Sequence, residues 1–308
     1  MNKKSSKICK DIKSLKIQGA HRVAREGFKA FIIEMTSFKN SNQKTFQKHA
    51  KTTAYIITNL RATSPMLDNY LEDALDSINY LIKKKKPIHV IQNYLNIRLE
   101  EVLDELKNNR NKLVVFGSDL VENGDIILTH CHSTSVINSL ILAKKQGKKF
   151  KVYNTESRPK YQGHDTAKEL AHIKIDITMS VDSNIGNIIE KVNKIFIGAD
   201  AVDKNGNLAN KIGSKTIAEL AKNRKKVSIY SFTELYKYDK RKKIEIEQRD
   251  PKEVADPKEF KGVKILNPAF DIIQHSYLNG IVTEIGLLTP KQFVQKAQNK
   301  IRLKPSII

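Results

Sequence analysis

The sequence predicts an α/β protein with a helical N-terminal domain followed by a C-terminal domain built on a mostly parallel sheet. Apolar residues recur at helical spacing through the first third of the chain. From about Leu113, short apolar runs alternate with helical stretches, which is typical of parallel strands joined by crossover helices. A chain of 308 residues is long enough for two domains that each bury a core. We therefore expect domains at 1–111 and 112–308.

The N-terminal part contains three long stretches with apolar residues at helical spacing. They lie at 11–38, 72–83 and 88–107, and Gly19 interrupts the first of them. Between them, the segment NLRATSP at 59–65 combines an arginine with small polar residues and a proline. This combination indicates a loop that reaches into a binding site. A turn that simply ends a helix explains it almost equally well.

The C-terminal part shows short apolar runs separated by helical stretches. The expected strands are 125–128, 150–154, 175–181, 194–197, 226–230 and 280–282. The expected helices are 134–145, 166–171, 185–191 and 214–222. Residues 237–260 carry many charges and two prolines, which indicates a flexible loop outside the sheet.

The composition excludes several classes of protein. With 40% hydrophobic residues, 29% charged residues and 8 prolines, the chain is globular rather than disordered. No apolar run approaches the roughly 20 residues that span a bilayer, and the lysine-rich start lacks the apolar core of a signal peptide. We therefore expect a cytoplasmic protein with no membrane contact. The two cysteines, Cys9 and Cys131, match neither a disulfide framework nor a paired zinc motif.

The net charge of +22 raises the question of nucleic-acid binding. Most of the excess is lysine spread over many segments, and no motif of a known nucleic-acid-binding module accompanies it. We therefore favour a solvated, lysine-rich surface over a nucleic-acid partner. Such a surface also attracts small anionic substrates.

Residues 195–214, which read IFIGADAVDKNGNLANKIGS, place an acid directly after a short apolar strand. In open α/β sheets, ligands bind beyond the carboxyl ends of the strands. Asp200 is therefore a candidate for chemistry, although an isolated aspartate at such a position is about as often incidental. Asn210 and Lys211 follow just before the next expected helix.

Two more strand ends carry polar clusters. After 125–128, the segment THCHSTS places Cys131 near backbone N–H groups and two histidines, an environment that favours a reactive thiolate. A buried, inert thiol is the alternative. After 150–154, the segment TESRPKYQG offers Arg158 either as a bidentate ligand for phosphate or as half of a surface ion pair. With Asp200, these residues bring an acid, a thiol and cations to one edge of the sheet.

Four motifs resemble, in order, those of the family shared by sugar-1-phosphate aldose–ketose isomerases and the regulatory subunits of translation initiation factor 2B. They are THCHSTS, TESRPKYQG, GADAVDKNGNLANKIG and NPAFDIIQHSYLNGIVTE. The segments QGAHRVA and NLRATSP resemble the N-terminal substrate motifs of that family, so the resemblance covers nearly the whole chain. The Cys131-His132 pair and the short helical N-terminal part are most similar to archaeal members that act on ribose 1,5-bisphosphate.

The resemblance implies a Rossmann-like C-terminal domain, an active site between the two domains, and a homo-oligomer, either a dimer or a hexamer. It implies Cys131 and Asp200 as the catalytic pair. The substrate-binding residues that it implies are Gly19, Ala20, Arg22, Arg61, Ser133, Arg158, Gln162, Asn210 and Lys211. It further implies a phosphorylated sugar as substrate and leaves room for a nucleotide activator.

The chain departs from the common family motif at Gln18, where an arginine often precedes the Gly-Ala pair. That departure concerns one phosphate contact. Arg22 or Arg25 would have to replace it.

The implied reaction shifts a proton from C2 to C1 of ribose 1,5-bisphosphate, whose esterified anomeric oxygen prevents spontaneous ring opening. Protonated Asp200 would donate to the ring oxygen while the thiolate of Cys131 removes the C2 proton. The scheme requires no metal or redox cofactor, and His130, His132 and His164 lack metal-ligand spacing. His132 is expected either to tune Cys131 or to be structural.

Two other functions stay open. An isomerase for methylthioribose 1-phosphate would use the same pair on a substrate with a thioether in place of the second phosphate. A non-catalytic translation-factor subunit would require neither residue, so the joint presence of Cys131 and Asp200 favours an enzyme. The side chains that face C5 distinguish the two substrates, because cations there favour phosphate.

Overall fold

The computed structural model describes residues 1–224 and 226–302. Over that part it confirms the predicted fold class, because helices precede a mostly parallel sheet. In the described chain, no helix combines the length and the apolar character needed to cross a membrane.

Contacts divide the chain into two compact units. Unit 1 consists of Met1–Asn108 together with the described residues from Gln298 onward, and unit 2 is Asn109–Ala297. The domain limits expected at 1–111 and 112–308 stay a prediction.

Unit 1 is helical. Its helices are α1 (Lys3–Lys13), α2 (Ala20–Thr36), α3 (Gln43–Thr58), α4 (Pro65–Lys83) and the first part of α5 (Ile88–Asp119). Phe28, Phe46 and Tyr70 are fully buried in its core, and the ring centroids of Phe28 and Tyr70 are 5.9 Å apart. The apolar stripes at helical spacing therefore face other helices, as is typical of amphipathic helices.

The stretch expected at 11–38 is divided where the sequence indicated an interruption. Between α1 and α2 the chain turns through Leu15 and Gly19, which have φ values of 63° and 81°. Glycine is favoured at the second of these because a left-handed conformation strains residues that carry a Cβ atom. This turn makes Gly19 the N-terminal cap of α2.

Unit 2 contains a seven-stranded sheet. Its strands are β1 (Ile126–Thr129), β2 (Lys151–Thr155), β3 (Asp176–Ser180), β4 (Lys194–Gly198), β7 (Ser228–Phe232), β9 (Gly280–Thr283) and β10 (Gly286–Leu288). They lie in the order β10-β9-β7-β4-β1-β2-β3, and all neighbouring pairs are parallel except β9 with β10. The six predicted strands are therefore all present, each within a few residues of its expected limits.

The crossover helices of unit 2 agree with the sequence pattern. They are α6 (Thr134–Lys145), α7 (Gln162–His172), α8 (Ile185–Ile188) and α9 (Ser214–Lys222), and α10 (Pro290–Arg302) follows the last strand. Val136 and Leu140 of α6 pack with Ile127 and Phe196 of the sheet in one buried cluster. Leu113 belongs to the same cluster, which explains why α5 continues past the expected end at residue 107.

A second, smaller sheet was not predicted. It consists of β5 (Ala201–Val202), β6 (Leu208–Lys211) and β8 (Phe270–Ile273), all antiparallel. β6 pairs with β8 from a distant part of the sequence, so no local pattern announces it. Its consequence for the site is that Asn210 and Lys211 are held on a strand instead of in a loop.

Residues 238–268, which we call the strap, differ from the flexible loop that the sequence indicated. The amide of Asp239 donates to the carbonyl of Val202 at 2.7 Å, and the amide of Arg249 donates to the carbonyl of Asn267 at 2.9 Å. Ile244 is buried against Ala201. The first part of the strap is therefore fixed to β5 of the smaller sheet, and Arg249 and Asn267 bond to each other within the strap.

Candidate active site

The two predicted catalytic residues follow neighbouring strands. β1 and β4 pair with Thr129 opposite Phe196, and Cys131 and Asp200 lie just beyond their carboxyl ends. β2 and β3 follow on one side of β1, and the chain then crosses back so that β4 pairs with the other side of β1. The site therefore lies where the strand order reverses. Ligands of open α/β sheets bind at such switch points. The negative charge of Asp200 raises the pKa of the Cys131 thiol.

Cys131 has an unusual backbone conformation. Its φ of 69° is in the left-handed region, which costs a residue with a Cβ atom on the order of 1 kcal/mol. Two hydroxyl groups offset that cost: Ser157 Oγ accepts from the Cys131 amide at 2.7 Å, and Thr166 Oγ1 donates to its carbonyl at 2.8 Å. The conformation is therefore held by the segments that follow β2.

Opposing influences act on the Cys131 thiol. Burial raises its pKa most strongly, and the negative charge of Asp200 raises it further. Lys211, the amide of His132 and Arg249 lower the pKa without cancelling that rise. The expected tuning by His132 thus comes from its backbone, because its ring faces Thr166 Oγ1 at 3.2 Å.

His130 links the two sides of the site. Its Nε2 lies 2.8 Å from the carbonyl of Ile212, which can only accept, so the proton is assigned to Nε2. Its Nδ1 then accepts from Thr155 Oγ1 at 2.5 Å, and it lies 3.4 Å from Ser157 Oγ. Burial lowers the pKa of His130, which keeps the ring neutral. The sequence pattern did not suggest this role.

Lys211 is a buried cation on β6. It is 5% exposed, and its ammonium lies 5.4 Å from the ring centroid of Phe270. Within residues 1–224 and 226–302 no carboxylate lies within ion-pair distance of it and no hydrogen bond satisfies it. A buried charge without a partner is costly, so this arrangement fits a site that takes up an anion.

Ser133 and Asn210 approach the end of β4. A Cβ atom at Gly198 would lie 2.9 Å from Ser133 Oγ and 3.8 Å from Asn210 Oδ1. The distance to Ser133 is too short for a Cβ atom, so glycine at position 198 leaves room for the Ser133 side chain beside the strand that leads to Asp200. The Asn210 amide donates to Ser214 Oγ at 2.8 Å, which fixes its orientation.

Arg158 and Gln162 lie beyond β2. The Arg158 guanidinium is exposed and donates to the Tyr161 hydroxyl at 2.7 Å and to the Val254 carbonyl at 3.1 Å. Gln162 begins α7, and its Oε1 is buried without a hydrogen-bond partner among the described residues. To bind a phosphate, Arg158 would have to exchange these two neutral acceptors for it.

Four predicted substrate-binding residues belong to unit 1. Gly19 caps α2, Ala20 begins it and Arg22 lies in its first turn, where free N–H groups favour anions. Arg61 is buried in the turn between α3 and α4. Arg25, the suggested replacement for the missing family arginine, is already paired with Glu26 at 2.7 Å.

Two cations of this region were missed. Lys237 Nζ donates to the carbonyl of Ala199 at 2.9 Å and is buried, and Arg249 acts on the Cys131 thiol. Both belong to the stretch that the sequence indicated as a loop. The aromatic residues on either side of Lys237, Tyr236 and Tyr238, were the available sign that this segment is packed.

Across the described residues, no group of three histidine, cysteine or acidic side chains is arranged to hold a metal ion.

A mostly parallel sheet with crossover helices defines a Rossmann-like protein, and the thiol and the acid at its switch point, with a buried lysine, make this edge the candidate site. The chain belongs to the Initiation factor 2 subunit family, whose model matches residues 16–290.

Known relatives within this family include enzymes and translation factors. The chain is 35% identical to the ribose 1,5-bisphosphate isomerase of Methanocaldococcus jannaschii, over 91% of this chain and 90% of that protein. It is 30% identical to the methylthioribose-1-phosphate isomerase of Exiguobacterium sibiricum, over 90% and 83%. The crystal structure of translation initiation factor eIF-2B from Pyrococcus horikoshii OT3 matches with a TM-score of 0.82 and 25% identity, covering 96% of this chain and all of that one.

Proposed function

We propose that this protein is an aldose–ketose isomerase that converts ribose 1,5-bisphosphate to ribulose 1,5-bisphosphate. The observation that carries the proposal is the placement of Cys131 and Asp200 directly after the paired strands β1 and β4, at the switch point of the sheet. A thiol and an acid supply the two proton-transfer groups that the reaction needs, and the buried cation supplies charge for a phosphorylated substrate. The isomerase from Methanocaldococcus jannaschii supports this choice of substrate.

In the first half of the reaction, Asp200 donates its proton to the ring oxygen as the bond between that oxygen and C1 breaks. The Cys131 thiolate removes the proton from C2, and the electron pair of that C–H bond forms a double bond between C1 and C2. The product of this half is an open-chain enol that keeps the phosphate on C1 and the hydroxyl on C2.

In the second half, the thiol returns its proton to C1 while Asp200 takes the proton of the C2 hydroxyl. C2 becomes the ketone carbon, and both residues regain their starting states. No atom is lost and no electron leaves the substrate, so Cys131 and Asp200 are sufficient for every proton transfer of the isomerisation.

The scheme requires one proton on Asp200 and none on Cys131. The negative charge of Asp200 raises the pKa of Cys131, so a proton on the acid favours the thiolate. A single proton that moves from the thiol to the carboxylate therefore prepares both groups at once.

Phosphate binding is proposed for residues of both units. In unit 2 the candidates with free donors or charge are Ser133, Asn210 and Lys211, and Arg158 and Gln162 lie at the neighbouring strand end. In unit 1 the N-terminus of α2 at Gly19, Ala20 and Arg22, and the buried Arg61, are the candidates. These assignments, with Cys131 and Asp200 as the catalytic pair, form part of the proposal.

The proposal includes assembly and regulation. We infer a homo-oligomer, dimer or hexamer, a cytoplasmic location, and a possible response to a nucleotide activator. These points rest on family resemblance, and sedimentation of the purified protein at micromolar concentration tests the first of them. A monomer under those conditions would contradict it.

An isomerase for methylthioribose 1-phosphate is the second candidate, supported by the relative from Exiguobacterium sibiricum. It shares the catalytic pair, so the substrate has to be decided by assay. The identity of 35% to a ribose 1,5-bisphosphate isomerase favours the bisphosphate over the thioether.

The test is an assay of the purified protein with ribose 1,5-bisphosphate and with methylthioribose 1-phosphate, each with and without added nucleotides. We expect the bisphosphate to be turned over at least tenfold more efficiently. Proton NMR in deuterated water should show deuterium at C1 of the ketose, since the thiol exchanges with solvent. The Cys131→Ser variant is the control preparation, and a parent protein inactive with every sugar phosphate would shift the function toward a translation-factor subunit.

A further inference from the structure

The strap brings a second arginine to the candidate active site. The amide of Arg249 donates to the Asn267 carbonyl at 2.9 Å, and two residues earlier in the strap the carbonyl of Glu247 accepts from the Ala269 amide at 2.9 Å. These bonds fix the strap to the residues that lead into β8, the partner of β6. β6 carries Lys211, so Arg249 is anchored beside the strand that presents the other buried cation.

The guanidinium of Arg249 is buried and incompletely bonded. Its side chain is 6% exposed, and its Nε and Nη1 atoms have no hydrogen-bond partner among the described residues. The nearest carboxylate oxygen is Glu247 Oε1, 3.1 Å from Nε, without the alignment of a hydrogen bond. Arginine cannot release its charge by deprotonation, so this arrangement leaves charged donors unsatisfied at a cost in stability.

The charge of Arg249 reaches the Cys131 thiol, because it lowers the pKa of that thiol. Lys211 lowers the same pKa. Elsewhere on the strap, the more exposed Arg241 has a full carboxylate partner, because it forms a two-pronged ion pair with Asp239. The strap can therefore provide a full partner for an arginine, and it does not do so at Arg249.

We propose that Arg249 is a substrate-binding residue of the Cys131 site, where its free N–H groups donate to a phosphate of the sugar bisphosphate alongside Lys211. This inference rests on the proposed function and adds a residue to it. The planar guanidinium suits two phosphoryl oxygens at once. Without a ligand, the Glu247 carboxylate holds the Arg249 guanidinium in place. Because it competes with the phosphate for that guanidinium, it lowers the affinity for the anion.

The experiment measures anion binding directly, through protection of Cys131 from iodoacetamide in a Cys9→Ala background. The ligands are ribose 1,5-bisphosphate, methylthioribose 1-phosphate and inorganic phosphate. Arg249→Met should weaken protection by the bisphosphate by about 10- to 100-fold, as expected for loss of charge-assisted hydrogen bonds. Arg249→Lys should restore part of the loss, because a lysine keeps the charge without the two-pronged geometry.

Lys252→Met is the matched control. It removes one positive charge from an exposed position of the same strap, so a general loss of positive field would appear in it as well. We expect its protection constants to equal those of the parent. Glu247→Gln should have the opposite effect, because removal of the competing acid should tighten bisphosphate binding severalfold. This variant tests the inference even if Arg249→Met fails to fold.

The two substrates decide which phosphate Arg249 takes. A loss confined to the bisphosphate assigns the 5-phosphate, and a loss for both ligands assigns the 1-phosphate, which they share. Unchanged protection in Arg249→Met together with unchanged protection in Glu247→Gln would overturn the inference. Protection of the parent by phosphate without any turnover would remove the proposed isomerase activity while leaving Arg249 as an anion-binding residue.

Discussion

The two ends of the seven-stranded sheet each bury a lysine, and they treat it in opposite ways. At the amino end, Lys194 is 12% exposed and its ammonium contacts Asp125 Oδ2 at 2.9 Å, Glu122 Oε2 at 3.0 Å and the Leu120 carbonyl at 2.9 Å. At the carboxyl end, Lys211 is 5% exposed, and among the described residues its ammonium has the Phe270 ring beside it but no ion-pair partner.

The pKa of Lys194 reflects its partners. Burial by itself lowers that pKa, but the hydrogen bonds and charges of Asp125 and Glu122 outweigh burial and raise it. At the amino end, the charge of Lys194 is therefore neutralised by the carboxylates of Asp125 and Glu122. The carboxyl end has left Lys211 and Arg249 without full partners, which is the condition of a site that waits for an anion.

The sizes of the cavities do not reveal this difference. A cavity of about 610 Å³ lies at the amino end, lined in part by Gly124, Glu190 and Arg224. Its arginine and acid form an ion pair with each other. The comparison therefore teaches that unsatisfied buried charge, and not empty volume, distinguishes the end of this sheet at which we propose the active site.

The largest effect should come from the catalytic pair. Cys131→Ser and Asp200→Asn should each lower kcat by about 100- to 10,000-fold, because an alkoxide is far less available than a thiolate and an amide cannot donate the proton. The double variant should be little worse than either single one, since the two residues act as a unit. Additive losses in a steady-state assay, or full activity in Cys131→Ser, would contradict the proposed proton transfer.

The second prediction contrasts the two buried lysines. Lys194→Met leaves Asp125, which is 2% exposed on its side chain, without its cation and should lower the free energy of unfolding by about 3 kcal/mol. Lys211→Met breaks no ion pair, so its stability should equal or exceed that of the parent while bisphosphate binding weakens by about 1.5 to 3 kcal/mol.

Urea unfolding and substrate titration of both variants measure this contrast. Equal destabilisation by the two substitutions would mean that Lys211 has a structural partner and that the two ends of the sheet do not differ. Loss of substrate binding in Lys194→Met at unchanged stability would place the ligand at the amino end of the sheet and contradict the proposed site.

A smaller effect is expected on the reactivity of Cys131. Because burial raises its pKa, alkylation of the native thiol in a Cys9→Ala background should require a pH above that needed for a free cysteine. Asp200→Asn removes a negative charge and should move the midpoint of the alkylation profile to lower pH, whereas Lys211→Met should move it to higher pH. Midpoints that do not respond to either change would separate these residues from the thiol.

The smallest expected effect concerns Asp271, opposite Asn210 on β8. Burial raises the pKa of its carboxyl to about 6, although the amides of Lys215 and Gly213 lower it in part. The folded state therefore holds this proton more tightly than the unfolded chain, so the stabilisation is complete below about pH 4 and is lost as pH rises through about 6.

Asp271→Asn should remove that dependence. The variant should be more stable than the parent by about 1 to 2 kcal/mol above pH 7, and the difference should shrink toward pH 4. Thermal unfolding across that range provides the measurement. A variant less stable than the parent at every pH would show that the amide cannot replace the carboxylate at the start of α9.

Local patterns were enough to predict most of the fold. Six of the seven strands of the large sheet and the four crossover helices α6 to α9 were predicted because buried parallel strands are short apolar runs and crossover helices carry apolar residues on one face. Cys131 and Asp200 could be selected for the same reason, since each directly follows such a run. Family motifs then supplied roles that periodicity does not contain.

Tertiary structure decided what depends on pairing between distant residues. The smaller sheet joins β6 to β8 across the strap, and neither strand has a local pattern that specifies its partner. The same holds for buried charge: Lys211 and Arg249 resemble the many solvated lysines and arginines of this chain until packing removes their water. His130 acquires its role only where Ile212 and Thr155 converge on its ring, because a hydrogen-bond network is a property of positions and not of residue order.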